Sequence, residues 1–138
     1  MITQTQTTSF KAELYEGIHD LLTDTIKLAL YVGTADLGAD TESYTANGEV
    51  SGAGYTAGGE VLTGATVQSS GNTAFVSFNS PSWTSASFTC RGALIYNASK
   101  ANRSVAVLNF GADRTVTNGT FTVTFPANTV NDAIIRST

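Results

Sequence analysis

The sequence predicts a mainly β fold: a single-domain β-sandwich, jelly-roll or immunoglobulin-like, of seven or eight strands with one N-terminal amphipathic helix. Three observations lead there. Apolar and polar residues alternate through one segment after another, the period of a strand with a single buried face. Gly, Asn, Ser and Pro punctuate these segments at the spacing of a sandwich. The 138 residues are 41% hydrophobic but only 13% charged, against roughly 25% charged in an average soluble protein, and Thr, Ser, Asn and Gly fill the difference. That length holds one domain with a real core and is short for two.

Taken in order, residues 1–8 (MITQTQTT) are a Thr/Gln-rich lead, expected to be a flexible arm ahead of a domain over 9–138. Ser9 is a suitable cap for a helix over 9–22, with Phe10, Leu14, Ile18, Leu21 and Leu22 on one stripe and Lys11, Glu13, Glu16 and Asp20 opposite. Gly17 weakens the interior of such a helix by roughly 1 kcal/mol relative to Ala, so docking of the stripe must hold it. Residues 24–32 alternate Ile26, Leu28, Leu30 and Val32 against Lys27 and Tyr31, a first strand.

Residues 33–60 are rich in glycine and acids and read as a long ordered loop with short edge strands, a kind of segment that tends to carry contacts. Short strands follow over 61–68 and 73–78, around a turn at 69–72, with Ala74, Val76 and Phe78 inward and Pro81 ending the second. Residues 83–96 are the clearest central strand. Ala86, Phe88, Cys90, Gly92, Leu94 and Tyr96 share one parity, while the other is polar at Ser85, Ser87, Thr89 and Arg91 and then apolar at Ala93 and Ile95. Such a strand starts half exposed and ends covered on both faces. Residues 97–102 make a hairpin loop into a strand over 104–110. Within 114–125, Asn118 and Gly119 are the preferred type I′ turn pair, and Phe121, Val123 and Phe125 alternate with threonines. Residues 133–136 offer a last short strand.

Nine of the eleven acids but two of the seven basic residues lie in residues 1–60, so that half carries −7 and the remainder +3. Residues 61–89 hold no Asp, Glu, Lys or Arg. An uncharged face suits packing against another protein, because no ion has to be desolvated; core strand and Ser/Thr turn is the plainer explanation of the same stretch. An acidic pI near 4.7 without a basic cluster disfavours nucleic-acid binding. No apolar run approaches a membrane span, and MITQTQTTSF has neither the basic region nor the apolar core of a secretory signal, so neither is expected.

Chemistry is sparse. Cys90, the single cysteine, cannot form an internal disulfide and sits on the buried parity as a small hydrophobe. His19 is the single histidine and reads as a structural rim residue, and one His with one Cys cannot build a four-ligand zinc site within a chain. The loop acids Asp36, Asp40, Glu42, Glu49 and Glu60 match no calcium-loop spacing and single out no carboxylate pair for glycoside hydrolysis, so solvated loop charge is the plainer reading. GAGYTAGG lacks the Lys and the strand-to-helix setting of a phosphate loop; its glycines serve turns or close backbone approach. The sequons at Asn97, Asn102 and Asn118 read as turn chemistry. No catalytic residue, cofactor or metal site is expected, and the chain does not read as an enzyme.

The succession SFKAELYEGIHD, DTIKLALYVGTADL, YTANGEVSGAGYTAGGEVLTG, FNSPSWTSASFTCRGALIYN, VAVLNFG, FTVTFP and AIIR resembles small β-rich virion structural proteins of tailed double-stranded DNA bacteriophages. The likeness runs over about 9–136, with GYTAGG and RGALIYN its most specific phrases. It implies a non-catalytic accessory protein of the particle. The first expectation is a capsid decoration (cement) protein on the capsid exterior, with the major capsid protein and further copies of itself, as homodimer or homotrimer, for partners, and with neither nucleic acid nor membrane. The alternative is a head or tail fibre, spike or tail-associated protein that attaches to a host surface. Expected contact residues are Tyr44, Tyr55 and the loop 52–59, including Gly52, Gly58 and Gly59, with the helix second and the 1–8 arm able to add a strand to a neighbour. Attachment would use exposed aromatics at a loop tip, for which Tyr31, Tyr44 and Tyr55 are the candidates.

Overall fold

A computed structural model describes residues 1–137; Thr138, the end of the expected domain, lies outside the described residues. In chain order the elements are β1 (Thr5–Gln6), α1 (Thr8–Tyr15), β2 (Ile26–Tyr31), β3 (Glu60–Val61), β4 (Thr66–Ser70), β5 (Thr73–Ser77), β6 (Ser82–Asn97), β7 (Arg103–Thr122) and β8 (Ile135–Ser137). The fold is mainly β, with eight strands and one short helix among the described residues. The strands form two antiparallel sheets, one of order β1-β7-β6-β2-β3 and one of order β4-β5-β8.

The long β6–β7 hairpin is the frame, and β6 occupies the stretch expected of a central strand. Everything from Gly92 to Asn97 is buried, as the loss of polar residues from both parities predicts. The expected single parity does not persist, however. Ala86, Phe88 and Cys90 face the larger hydrophobic cluster, but beyond Arg91 it is Ala93 and Ile95 that face it. Leu94 and Tyr96 turn instead to a second cluster with Ile2, Ala29, Tyr31, Ala35, Leu37 and Val107. The change falls where Cys90 pairs with Arg114 and Gly92 with Asn109, so that Arg91 stands opposite residues 110–113. Unequal numbers of residues between paired positions re-aim the side chains that follow, the ordinary effect of a bulge.

Several sequence expectations are corrected by local geometry. Asn118 and Gly119 are not a hairpin turn. They lie inside β7, which runs unbroken from the segment expected over 104–110 to Thr122 of the one expected over 114–125. Ala86 pairs with Gly119 and Phe88 with Val116, leaving Thr117 and Asn118 opposite Ser87 alone. Asn118 takes a left-handed φ of 46° there, so the Asn-Gly signal marks a bulge. The helix has eight residues where 9–22 was expected. Thr7, not Ser9, caps it by accepting from the Phe10 amide, and Gly17 ends it at φ 72°. The Gly17 amide donates to Leu14 O and the Ile18 amide to Glu13 O, a Schellman closure that needs the left-handed residue glycine tolerates. Of the expected stripe, Phe10 and Leu21 enter the core, whereas Leu14 and Leu22 are exposed.

The expected outward arm at 1–8 is laid down on the sheet: Thr5 and Gln6 pair with Val107 and Ala106, Ile2 bridges to Leu37, and Ile2 and Thr7 are buried. Residues 61–68 divide between β3 and β4, and in β5 it is Phe75, Val76 and Ser77 that are buried while Ala74 is exposed.

Truncation of either face of β6 tests this frame. Phe88→Ala or Leu94→Ala is expected to lower the unfolding free energy by roughly 2–5 kcal/mol in urea denaturation. Among the described residues Arg91 pairs with Asp113 alone (3.4 Å), both side chains substantially exposed, so Arg91→Ala should change it by less than about 1 kcal/mol.

Candidate functional site

The segment 33–60 is the part of the chain expected to make contacts; Glu60 begins β3, and loop 33–59 ahead of it is gathered around one carboxylate. Gly48 and Val50 bond to the open edge of β2, Val32 N donating to Gly48 O and Val50 N to Leu30 O, each at 2.9 Å. Glu49, between them, therefore projects from a fixed backbone. Its Oε1 accepts from the Tyr44 hydroxyl (2.5 Å), and its Oε2 accepts from the Tyr55 hydroxyl (2.5 Å) and the Gly58 amide (2.8 Å). The Tyr55 oxygen in turn accepts from the Leu30 amide at 3.0 Å, so this chain of bonds caps the β2 edge. On the far side of Gly58, its carbonyl accepts from the Tyr96 hydroxyl of β6 at 2.6 Å.

Each expected contact residue has a definite place. Tyr44 is half-buried with its ring 4.9 Å from that of Tyr96; Tyr55 is half-buried between Trp83 and Phe88 of β6. Gly58 is buried between Glu49 and Tyr96. Gly59, at φ 81°, lies so close to β2 that an added Cβ would overlap the Leu28 carbonyl, and one on Gly52 would come within 2.5 Å of Ser87 O. The two tyrosines and Gly58 thus converge on Glu49, while Gly52 and Gly59 let the loop backbone lie against β6 and β2. Of the other loop acids, Asp36 comes within 3.8 Å of the chain's amino group, and among the described residues no group of three or more His, Cys, Asp or Glu side chains is placed to hold a metal.

The electrostatics follow from burial around a negative charge. Loss of water raises Tyr31, Tyr44 and Tyr55 well above the ordinary tyrosine value, with the Glu49 charge the next cause for Tyr31 and the hydrogen bond to Glu49 the next for Tyr44 and Tyr55; loss of water and the Glu49 charge push Tyr96 up to about 12. These phenols stay protonated, which lets Tyr44 and Tyr55 donate to the carboxylate.

A second polar cluster closes the carboxy-terminal end of β6. Asn97 is fully buried, and its Oδ1 accepts from the Ser99 amide at 3.0 Å. That orients the amide so that Nδ2 donates to Asp24 Oδ2 (2.8 Å) and to His19 Nδ1 (3.0 Å). His19 therefore carries its proton on Nε2, which donates to Glu13 Oε1 at 2.8 Å. Lys100 Nζ closes the cluster on Asp24 at 2.9 Å. Burial raises the Asp24 carboxyl, but the bonds from Asn97, the Asp20 amide and Lys100 outweigh it and bring the group down to about 2. Asn97 Nδ2 and both ring nitrogens of His19 hold α1 and its following turn to the end of β6, while Asn97 Oδ1 fixes the β6–β7 loop.

Cys90 is buried, and desolvation, with the Asp113 charge next, pushes its thiol up to about 12, far from a reactive thiolate. A groove of about 340 Å³ between β1, β7 and the carboxy-terminal segment is walled by Gln4, Gln6, Leu108, Pro126 and Ile134, with Asp132 and Arg136 its charged residues. No family model, no curated protein and no solved structure matches the chain.

Glu49→Gln keeps the side chain's size but removes its charge and one of its accepting oxygens. Urea unfolding at neutral pH should show a loss of about 1.5–3 kcal/mol, and an unchanged midpoint would remove Glu49 from its central place. The tyrosine shifts add an alkaline signature. Their folded-state values are raised, so the stability they contribute is complete below about pH 10 and falls as pH rises through about 12, and the fall should be shallower in Glu49→Gln. Asp24 has the opposite sign: its contribution is present above about pH 4 and is lost as pH falls through about 2, a slope that Asp24→Asn should flatten in acid unfolding.

Proposed function

We propose that the chain is a structural protein of a bacteriophage virion: a decoration protein that binds the exterior of the capsid as a homodimer or homotrimer and stabilises the shell by bridging neighbouring major capsid subunits. The two antiparallel sheets are, in this reading, the halves of a β-sandwich, supported by the entry of Leu28, Phe88 and Ile95 from one and Val76 and Ile135 from the other into a single cluster. The reading assigns no catalytic step, no cofactor and no contact with nucleic acid or membrane.

The observation that carries it is the way loop 33–59 is held. Tyr44, Tyr55 and Gly58 converge on Glu49, and Gly52 and Gly59 lie against strands, so a long, glycine-rich surface is ordered before any partner arrives. Preorganised surfaces lose little conformational entropy on docking. Repeated over a linked shell, individually weak contacts of this kind add up. Host attachment through exposed tyrosines is the less favoured reading, because Tyr31 is buried and Tyr44 and Tyr55 turn their hydroxyls inward to Glu49.

Counting copies in purified particles by quantitative mass spectrometry tests the reading. Decoration of a whole shell requires hundreds of copies per virion, matched to the major capsid protein; a handful to a few dozen would place the chain in a tail or fibre instead.

A further inference from the structure

The smaller sheet has one long, open edge. β4 lies at the end of the order β4-β5-β8, all five of its residues are exposed, and it pairs with β5 in unbroken register. The other sheet ends are short or obstructed, and the outer edge of β7 beyond β1, which no strand covers among the described residues, carries Asp113, Arg114 and two bulges. β1 and β3 have two residues each, β3 with Glu60 in it, and β8 has three with the Arg136 carbonyl already accepting from Gln6 Nε2 at 2.8 Å. Charge, proline, bulges and brevity are the usual protections of an edge, and β4, of sequence TVQSS, has none of them.

The turn tells which groups face outward. Ser70 pairs with Thr73 around Gly71 and Asn72; Gly71 is left-handed at φ 59° and Asn72 is not, the pattern of a type II′ turn. Its closing pair exchanges main-chain hydrogen bonds, and alternation then turns Gln68 and Thr66 toward β5 and the N–H and C=O of Val67 and Ser69 toward the open edge.

We propose that this edge is a self-association site, at which β4 of a second copy pairs antiparallel across a two-fold axis through Gln68. Val67 then exchanges both main-chain bonds with Ser69 of the partner subunit, and Ser69 with Val67 of the partner subunit, while the two Gln68 side chains meet on the axis. Antiparallel pairing of one strand with its own copy is self-complementary, as a two-fold interface demands. Charge selects the same place. Each copy carries −4, yet no charged residue occurs in 61–89, so this edge joins two acidic chains without opposing like charges. The two three-stranded sheets become one continuous sheet.

The inference rests on the strand edge and deepens the oligomeric part of the reading above. Its test contains no capsid, so its failure and that of the capsid reading are separate results. Analytical ultracentrifugation of the intact chain should show a dimer at micromolar concentration. Ser69→Pro deletes an outward N–H that β5 does not use, and Gln68→Lys sets two cations on the axis. With circular dichroism and melting unchanged, each should weaken the dimer by about tenfold or more, since symmetry applies every change twice. As a check independent of those variants, Gln68→Cys should form an interchain disulfide on mild oxidation while Thr66→Cys, which faces Ser70 of the partner subunit, should not; the native Cys90 is buried and does not interfere. A monomeric wild-type chain overturns the proposal, leaving the edge to a different partner. So does a dimer that survives both substitutions with the Gln68→Cys chain uncrosslinked.

Discussion

The central strands of this protein must be kept dry on both faces, and the rest of the structure answers that demand. Ile26, Leu28, Ala29, Leu30 and Tyr31 of β2, and Gly92 through Asn97 of β6, are buried whichever way their side chains point. One face enters the larger hydrophobic cluster, which Val76 and Ile135 of the smaller sheet also enter; the other is covered by Ile2, Ala35 and Leu37 from segments with little hydrophobic content of their own. Burial of Ala35, Leu37 and Val50 anchors loop 33–59 to the core, and the bonds to Glu49 decide which of many loop arrangements achieves it.

The same constraint explains what could be read from the residues and what could not. β6 was legible because two-sided burial leaves its mark directly in composition, and β2 because Ile26, Leu28 and Leu30 alternate with Lys27 and Tyr31, although Tyr31 is buried as well. The exchange of faces at Arg91 was not, since it depends on the four residues of β7 opposite, and no alternation within β6 records a partner's insertion. Asn118 with Gly119 and the lone Gly17 were each recognised as special backbone positions and given the wrong use: left-handed geometry serves a bulge or a helix cap as readily as a hairpin or a weak helix interior.

Glu49 shows the limit at the site. Among five scattered loop acids nothing in its own spacing set it apart, and the informative pattern was its bracketing by Tyr44 and Tyr55, donors on both sides of one acceptor. The expected contact residues are all in the loop, but three of them face inward. For a binding surface that is a gain, because tyrosines engaged in fixing the loop hold the neighbouring backbone and small side chains in one shape. Acidic residues are concentrated in the first 60 positions, and β4 lies in the uncharged run that follows, from Val61 to Cys90.

The most direct test of the claim that Glu49 holds the loop in a single arrangement is native-state amide hydrogen exchange of Gly58 and Leu30. Their amides donate to side chains, Glu49 Oε2 and Tyr55 Oη, so their protection reports these bonds and no sheet ladder. If the carboxylate orders the loop, both exchange on the timescale of the β6–β7 core; if Gly58 and Leu30 exchange as fast as exposed loop amides while that core stays protected, the account is contradicted.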